Sequence, residues 1–274
     1  MTKAPGWEML IVWYFFLGGI AGGAYFTAVI ADIFGSHRDR MVARVGYFLS
    51  LPLVAACGIL LILDLGVPSR FLNMMRAFKF WDPMSIGAWA LGIFGAFAFV
   101  SAALSLSDSE ERASLRRKIG MVGVFFGFFL AAYTGVLLSN SAQPLWSEAR
   151  AMGALFLASG ASTGMAAISL IMFLLGGSAG EGWRKMKRAD RFSMIFELIV
   201  LAIFLTLLGS AAKPLVSGHH ALLFWGGLVG LGLIIPLIIE FVGHRVKALA
   251  AIAAILVLCG GFVLRYVMLM SIQA

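Results

Sequence analysis

Apolar residues run along this chain in long stretches separated by short polar segments. A helix needs about 20 apolar residues to cross the hydrocarbon core of a bilayer. On that measure the pattern predicts eight transmembrane helices, near residues 7–33, 45–65, 84–106, 117–140, 150–177, 192–211, 220–242 and 247–271. The connecting segments are too short to hold a soluble domain on either side. Chemistry beyond the bilayer would therefore have to come from a partner.

Composition agrees with the pattern. Of the 274 residues, 61% are hydrophobic and 12% charged, and the mean hydropathy is +0.98, outside the range of soluble domains. The first apolar run begins near Trp7, is longer than the core of a signal peptide and has no small-residue cleavage site after a basic start, so it is expected to remain as an anchor. Cys57 and Cys259 lie within apolar runs, where thiols behave as small hydrophobes rather than as a disulfide framework or metal site.

The net charge of +8 changes the picture only through its placement. Fourteen of the 21 Lys and Arg residues fall in the 1–2, 3–4, 5–6 and 7–8 connections, and seven on the other face. Basicity so distributed sets membrane orientation and does not point to nucleic acid. The excess of Lys and Arg on the inner side predicts both termini outside, on the periplasmic face. On that face the 2–3 connection, "GVPSRFLNMMRAFKFWDPMS", is the longest and mixes aromatic with basic residues, which suits either a structured cap or an interfacial amphipathic segment.

Two helices are crowded with small residues: "FLGGIAGGAY" in the first and "FLASGASTGM" in the fifth. Such surfaces let helix backbones approach closely. A shared Trp-Gly pattern in the third and seventh helices ("GAWALG" and "FWGGLVG") suggests two four-helix bundles, residues 1–146 and 147–274. The overall expectation is an all-α membrane protein of about eight helices.

Ionisable groups inside a membrane are costly, so each is a functional candidate. Asp64 closes the second helix, with Arg70 just beyond the turn; the two could pair to fix the loop, serve quinone or proton chemistry, or do both. Glu197 lies one or two turns into the sixth helix and is the clear outlier, suited to a proton relay or a structural hydrogen bond. Asp32 and Glu240, at the inner ends of the first and seventh helices, could extend a proton path, or be solvated helix ends. Arg265 is expected to snorkel or to pair with a helix terminus. The four histidines, His37, His219, His220 and His244, all fall in or beside loops, so axial haem ligation inside the bundle is not expected. Nor do cysteine clusters, nucleotide-binding glycine loops or a Ser-His-Asp set stand out.

Four stretches carry a resemblance. "WYFFLGGIAGGAYF", "LDLGVPSRF", "DPMSIGAW" and "YTGVLLSNSAQPLW", in that order, resemble the NrfD/PsrC polysulfide-reductase-type membrane subunits. The match is strongest over the first 146 residues and extends over most of the sequence. The resemblance implies a haem-free, quinone-reactive subunit of a bacterial or archaeal cytoplasmic membrane, binding menaquinone or ubiquinone without a haem or iron-sulfur cluster of its own. It implies an iron-sulfur electron-transfer partner, often accompanied by a molybdopterin catalytic subunit, on the outer face. It places Tyr133 beside the quinone head group, where a phenol can hydrogen-bond a carbonyl without bringing a permanent charge into lipid. Asp64 and Arg70 follow as candidates, and the start of helix one contributes Glu8, Trp13 and Tyr14 among its polar and aromatic residues. The rival reading is a transporter or ion-translocating subunit without quinone chemistry, which would place polar groups at the midplane of broken helices.

Overall fold

The structure, a computed structural model, describes residues 9–36, 39–65, 67–71, 76, 78–79, 81–107, 109–139, 146, 149, 151–176, 181–242 and 247–271. Eight helices in it are long and apolar enough to cross a membrane. They are α1 (Met9–Phe34), α2 (Arg40–Leu63), α3 (Pro83–Leu104), α4 (Glu110–Ser139), α5 (Met152–Leu174), α6 (Glu181–Leu208), α7 (Leu223–Val242) and α8 (Lys247–Met270). No strand occurs among the described residues. The protein is an all-α membrane protein.

Helix number agrees with the hydropathy pattern, but two helices begin well before their apolar runs. The expected fourth and sixth helices begin at 117 and 192, whereas α4 begins at Glu110 and α6 at Glu181. Hydropathy reports where a helix enters lipid, not where its hydrogen bonding begins. The charged segments "EERASLRRK" and "EGWRKMKRADR" continue their helices beyond the apolar part, and Glu110, Glu111 and Glu181 in the first turns suit the positive end of the helix dipole. Elsewhere local chemistry sets the boundaries. The Asp82 carboxylate accepts the Met84 N–H at 3.1 Å, and Pro83 occupies the first turn of α3, where its missing N–H costs nothing. Gly209, at φ +52°, follows α6 and leads into the short turns Gly209–Ala212 and Lys213–Val216. The first twelve residues of α7, Leu223–Ile234, wind as a π-helix.

α1 and α5 form the centre of the bundle. Of their apolar windows 72% and 78% are buried, against 28% for α2 and for α7, which therefore face mostly outward. In lipid, helices associate through close packing rather than through hydrophobic exclusion, and here the packing is backbone on backbone. A Cβ on Gly23 would overlap the Gly160 carbonyl, and one on Gly164 would overlap the backbone of Gly23 and Ala24. This seam also joins the two sequence halves expected to divide near residue 146. After α4 the Trp146 side chain is fully buried and its indole N–H donates to the Met268 carbonyl at 2.8 Å, tying that connection to the end of α8.

At the basic end of the bundle, the Arg116 guanidinium of α4 donates to both carboxylate oxygens of Asp32 on α1, at 2.6 and 2.7 Å. The Tyr47 hydroxyl adds a bond at 3.3 Å. The two charged side chains are 9% and 7% exposed, so Asp32 is not the solvated helix end that its position suggested. Removing one partner strands the other in a low-dielectric site. Arg116→Ala is accordingly expected to lower stability by about 3–5 kcal/mol in detergent unfolding; a loss within about 1 kcal/mol would mean the pair behaves as a surface ion pair.

Candidate functional site

At the opposite end of α4 from Arg116, the start of α1, the end of α2, the start of α3 and the end of α4 enclose a cavity of about 190 Å³. Its walls are mostly apolar, with Ile11, Phe15, Leu61 and Leu137 contributing aliphatic and aromatic surface. Among the described residues three polar side chains reach it: Tyr14 from α1, Asp64 from the end of α2 and Tyr133 from α4. An apolar enclosure with a few convergent polar groups is the usual form of a small-molecule site.

Each of the three is placed by local structure. Tyr133 is 7% exposed, its ring stacks on Phe129 with centroids 5.5 Å apart, and its hydroxyl donates to the Pro83 carbonyl at the first turn of α3. Gly87 makes this possible, because a Cβ there would stand 2.7 Å from the phenol oxygen and 2.5 Å from a ring carbon. A hydroxyl has one proton, so with that proton on Pro83 the Tyr133 oxygen is left as an acceptor. Tyr14, 3% exposed, makes no side-chain hydrogen bond to a described residue and so keeps both its donor and its acceptor. Asp64 sits where α2 ends, its backbone N–H bonding the Leu60 carbonyl at 3.0 Å, with its side chain half-buried at the cavity wall.

The other expected site residues are elsewhere. Trp13 is 43% exposed and turns toward α8, with its ring 4.6 Å from that of Phe262, so it does not line the cavity. Glu8 lies outside the described residues, as does the side chain of Arg70, whose backbone belongs to the short turn Pro68–Arg70.

The three carboxylates considered as a proton path do not meet one another. Asp32 is bound to Arg116. Glu240, only 6% exposed, pairs with Lys187, which also reaches Asp190 at 3.2 Å; Glu240 is therefore a buried, paired group and not a solvated helix end. Glu197 is 2% exposed and accepts the Ser162 hydroxyl at 2.5 Å. One turn away on α5, Ser159 accepts from Arg265 at 2.6 Å, and the same guanidinium donates to the Gly261 carbonyl at 2.9 Å and the Phe156 carbonyl at 3.3 Å. Arg265 is fully buried over the Phe156 ring, so it neither snorkels nor caps a helix. A line of polar groups thus crosses the interior from α6 through α5 to α8.

Asp190, Arg265, Ser159 and Ser162 were not singled out as site residues from the sequence. Asp190 hides within a basic run that reads as a loop. The signal that could have found it is its spacing, seven residues before Glu197, which places both on one face of a helix. The serines read as small packing residues.

A family model described as "Polysulphide reductase, NrfD" matches residues 1–274. The protein belongs to the NrfD family. Among relatives, this NrfD-family protein is 29% identical to the C subunit of the polysulfide reductase of Wolinella succinogenes, over 97% of its own length and 94% of that protein. It is 28% identical to a protein NrfD homolog of Haemophilus influenzae, with coverage of 97% and 94%. Over a shorter stretch, 44% of its own length and 30% of the other, it is 22% identical to an Hdr-like menaquinol oxidoreductase integral membrane subunit of Archaeoglobus fulgidus.

In this NrfD-family protein Gly87→Ala is expected to push the Tyr133 ring out of its seat and break the bond to Pro83. The cost should be about 1–3 kcal/mol of stability, with the Tyr133 side-chain signal shifted in spectra of the tyrosine-labelled protein. An unshifted phenol would show that the ring does not depend on that glycine.

Proposed function

We propose that this protein is the membrane anchor and quinone-binding subunit of a respiratory oxidoreductase, and that the cavity bearing Tyr14, Asp64 and Tyr133 is its quinone site. The observation that carries the reading is the meeting, in one mostly apolar cavity walled by four helices, of two phenols and a carboxylate. A flat ring with two carbonyl or hydroxyl oxygens suits such a site: apolar walls for the ring and tail, and few polar groups to fix orientation. Relatives named for polysulfide reductase and for menaquinol oxidation support the same class.

A bound quinone or quinol supplies two-electron, two-proton chemistry, and the residues of this protein hold it and handle protons. Tyr14, with its hydroxyl unspent on any described residue, donates to a carbonyl oxygen. The Tyr133 oxygen, its own proton on Pro83, accepts from a hydroxyl; turning the phenol away from Pro83 makes it a donor instead. Asp64, half-buried at the wall, exchanges protons with the aqueous side. Electrons pass to or from an iron-sulfur partner docked on this face, itself serving a molybdopterin catalytic subunit. The face is the outer one, with both termini outside, in a bacterial or archaeal cytoplasmic membrane.

Proton access from the basic end runs in this proposal through Glu240 and Asp190, which share Lys187, and then Glu197, Ser162, Ser159 and Arg265. Asp32, locked to Arg116 between α1 and α4, is left outside this route. The buried Glu197 line also favours a second reading, ion translocation without quinone chemistry, because charged groups at depth are what such a carrier needs.

Tyr133→Phe and Tyr14→Phe are each expected to lower kcat/KM for quinone about tenfold, the loss of one hydrogen bond to the ring, with assembly intact. Unchanged kinetics in both would remove the cavity from the reaction. Glu197→Gln is expected to lower kcat at least tenfold with KM for quinone unaltered; a parallel loss of expression and quinone binding would assign Glu197 a structural role, and full turnover with lost ion flux would favour the second reading.

A further inference from the structure

At the basic end of the bundle a second cavity, of about 390 Å³, opens between α6, the end of α7 and the start of α8. Four of its lining residues, Arg184, Lys187, Arg188 and Arg191, are spaced by three and four along α6 and so share one helix face. Among the described residues Glu240 is the carboxylate that lines it, and Lys187 is already committed to Glu240 and to Asp190 behind it. No carboxylate among the described residues pairs with Arg184, Arg188 or Arg191. Arg191 is held over the Phe241 ring at 5.2 Å, which orients the guanidinium without neutralising it. The remaining walls, Trp183, Ile239, Phe241 and Ala250, are apolar.

The cavity lies where α6 changes character. The basic run ends at Arg191, and the residues that follow present Phe192, Phe196 and Ile199 outward, each more than half exposed. Ile238 on α7 does the same. A cationic mouth therefore stands directly over an outward-facing apolar surface shared by two helices. A small inorganic anion would satisfy the arginines and leave the apolar walls unused, and a neutral amphiphile would do the reverse.

We infer that this cavity binds one anionic phospholipid, its phosphate held by Arg188 and Arg191 and its acyl chains lying along α6 and α7. Basic pockets between transmembrane helices suit such head groups, which gain from each nearby guanidinium. The site is separate from the quinone cavity and does not depend on that assignment.

The test uses the full-length protein with the subunits that purify with it, stripped of lipid by detergent exchange. Native mass spectrometry and the unfolding midpoint are read after adding dioleoyl phosphatidylglycerol, dioleoyl phosphatidylcholine or inorganic phosphate. One phosphatidylglycerol per protein should be retained and should raise the midpoint, while the other two should do neither at equal concentration. Arg188→Gln with Arg191→Gln should weaken phosphatidylglycerol binding roughly thirtyfold. Arg112→Gln with Arg117→Gln removes two cations at the same end but outside the cavity, and should leave binding unchanged. Ala250→Phe fills the cavity with every charge kept, and should also expel the lipid, which keeps the inference testable if the arginine pair fails to fold. Equal binding of phosphatidylcholine, equal loss in both arginine pairs, or retention by Ala250→Phe would overturn the site. Equal stabilisation by phosphate alone would overturn the lipid as its occupant.

Discussion

The arrangement depends on one contact, the seam where α1 and α5 touch through their backbones. Gly23 and Gly160 stand so close that neither a methyl group nor a water could separate them. Dispersion between atoms at contact distance is individually small and collectively large, and in lipid it has to replace the hydrophobic effect as the force that joins helices. Because α1 sits at the centre, several of the polar features are positioned from it. Tyr14 and Phe15 face the cavity one to two turns before Gly19, and Asp32 meets Arg116 at the far end. Arg265 lies directly against Gly19, where a Cβ would stand 2.7 Å from its guanidinium. The seam thus leaves just the space that a buried arginine needs.

Two different solutions to the problem of polarity in a membrane follow. At the cavity, the polar side chains among the described residues are two phenols and one carboxylate at a helix end. Elsewhere buried charge is present and answered in part: Arg265 by a serine and two backbone carbonyls, Glu197 by Ser162, Glu240 and Asp190 by a shared lysine. One oxygen of Asp190 and one of Glu240 still have no partner among the described residues. A buried carboxylate oxygen left without a donor is costly, and proton traffic would give that cost a purpose.

Much of this was legible in the residues. Eight apolar runs gave eight spanning helices, and Tyr133, Asp64 and Tyr14, distant in sequence, line one cavity. What could not be read was which way a side chain faces when all sides of a helix are apolar. Trp13 and Tyr14 are adjacent, about 100° apart around a helix, yet one faces α8 and the other the cavity. Hydropathy alone offers no stripe to tell them apart. Depth was misjudged for the same kind of reason: Asp32 and Glu240 lie near helix ends, but α4 and α6 extend past the apolar region and cover them with Arg116 and Lys187. Arg265 looked like a residue that would reach for water because nothing in its own helix announces Ser159 and Phe156 across the interface.

The most direct measurement is photolabelling of the assembled complex with an azido-quinone, followed by peptide mapping. Label on the segments carrying Tyr14, Asp64, Met84 or Tyr133, displaced by excess native quinone, is the expected result. Label confined to α5 through α8, or label that native quinone does not displace, would contradict the assignment of the cavity.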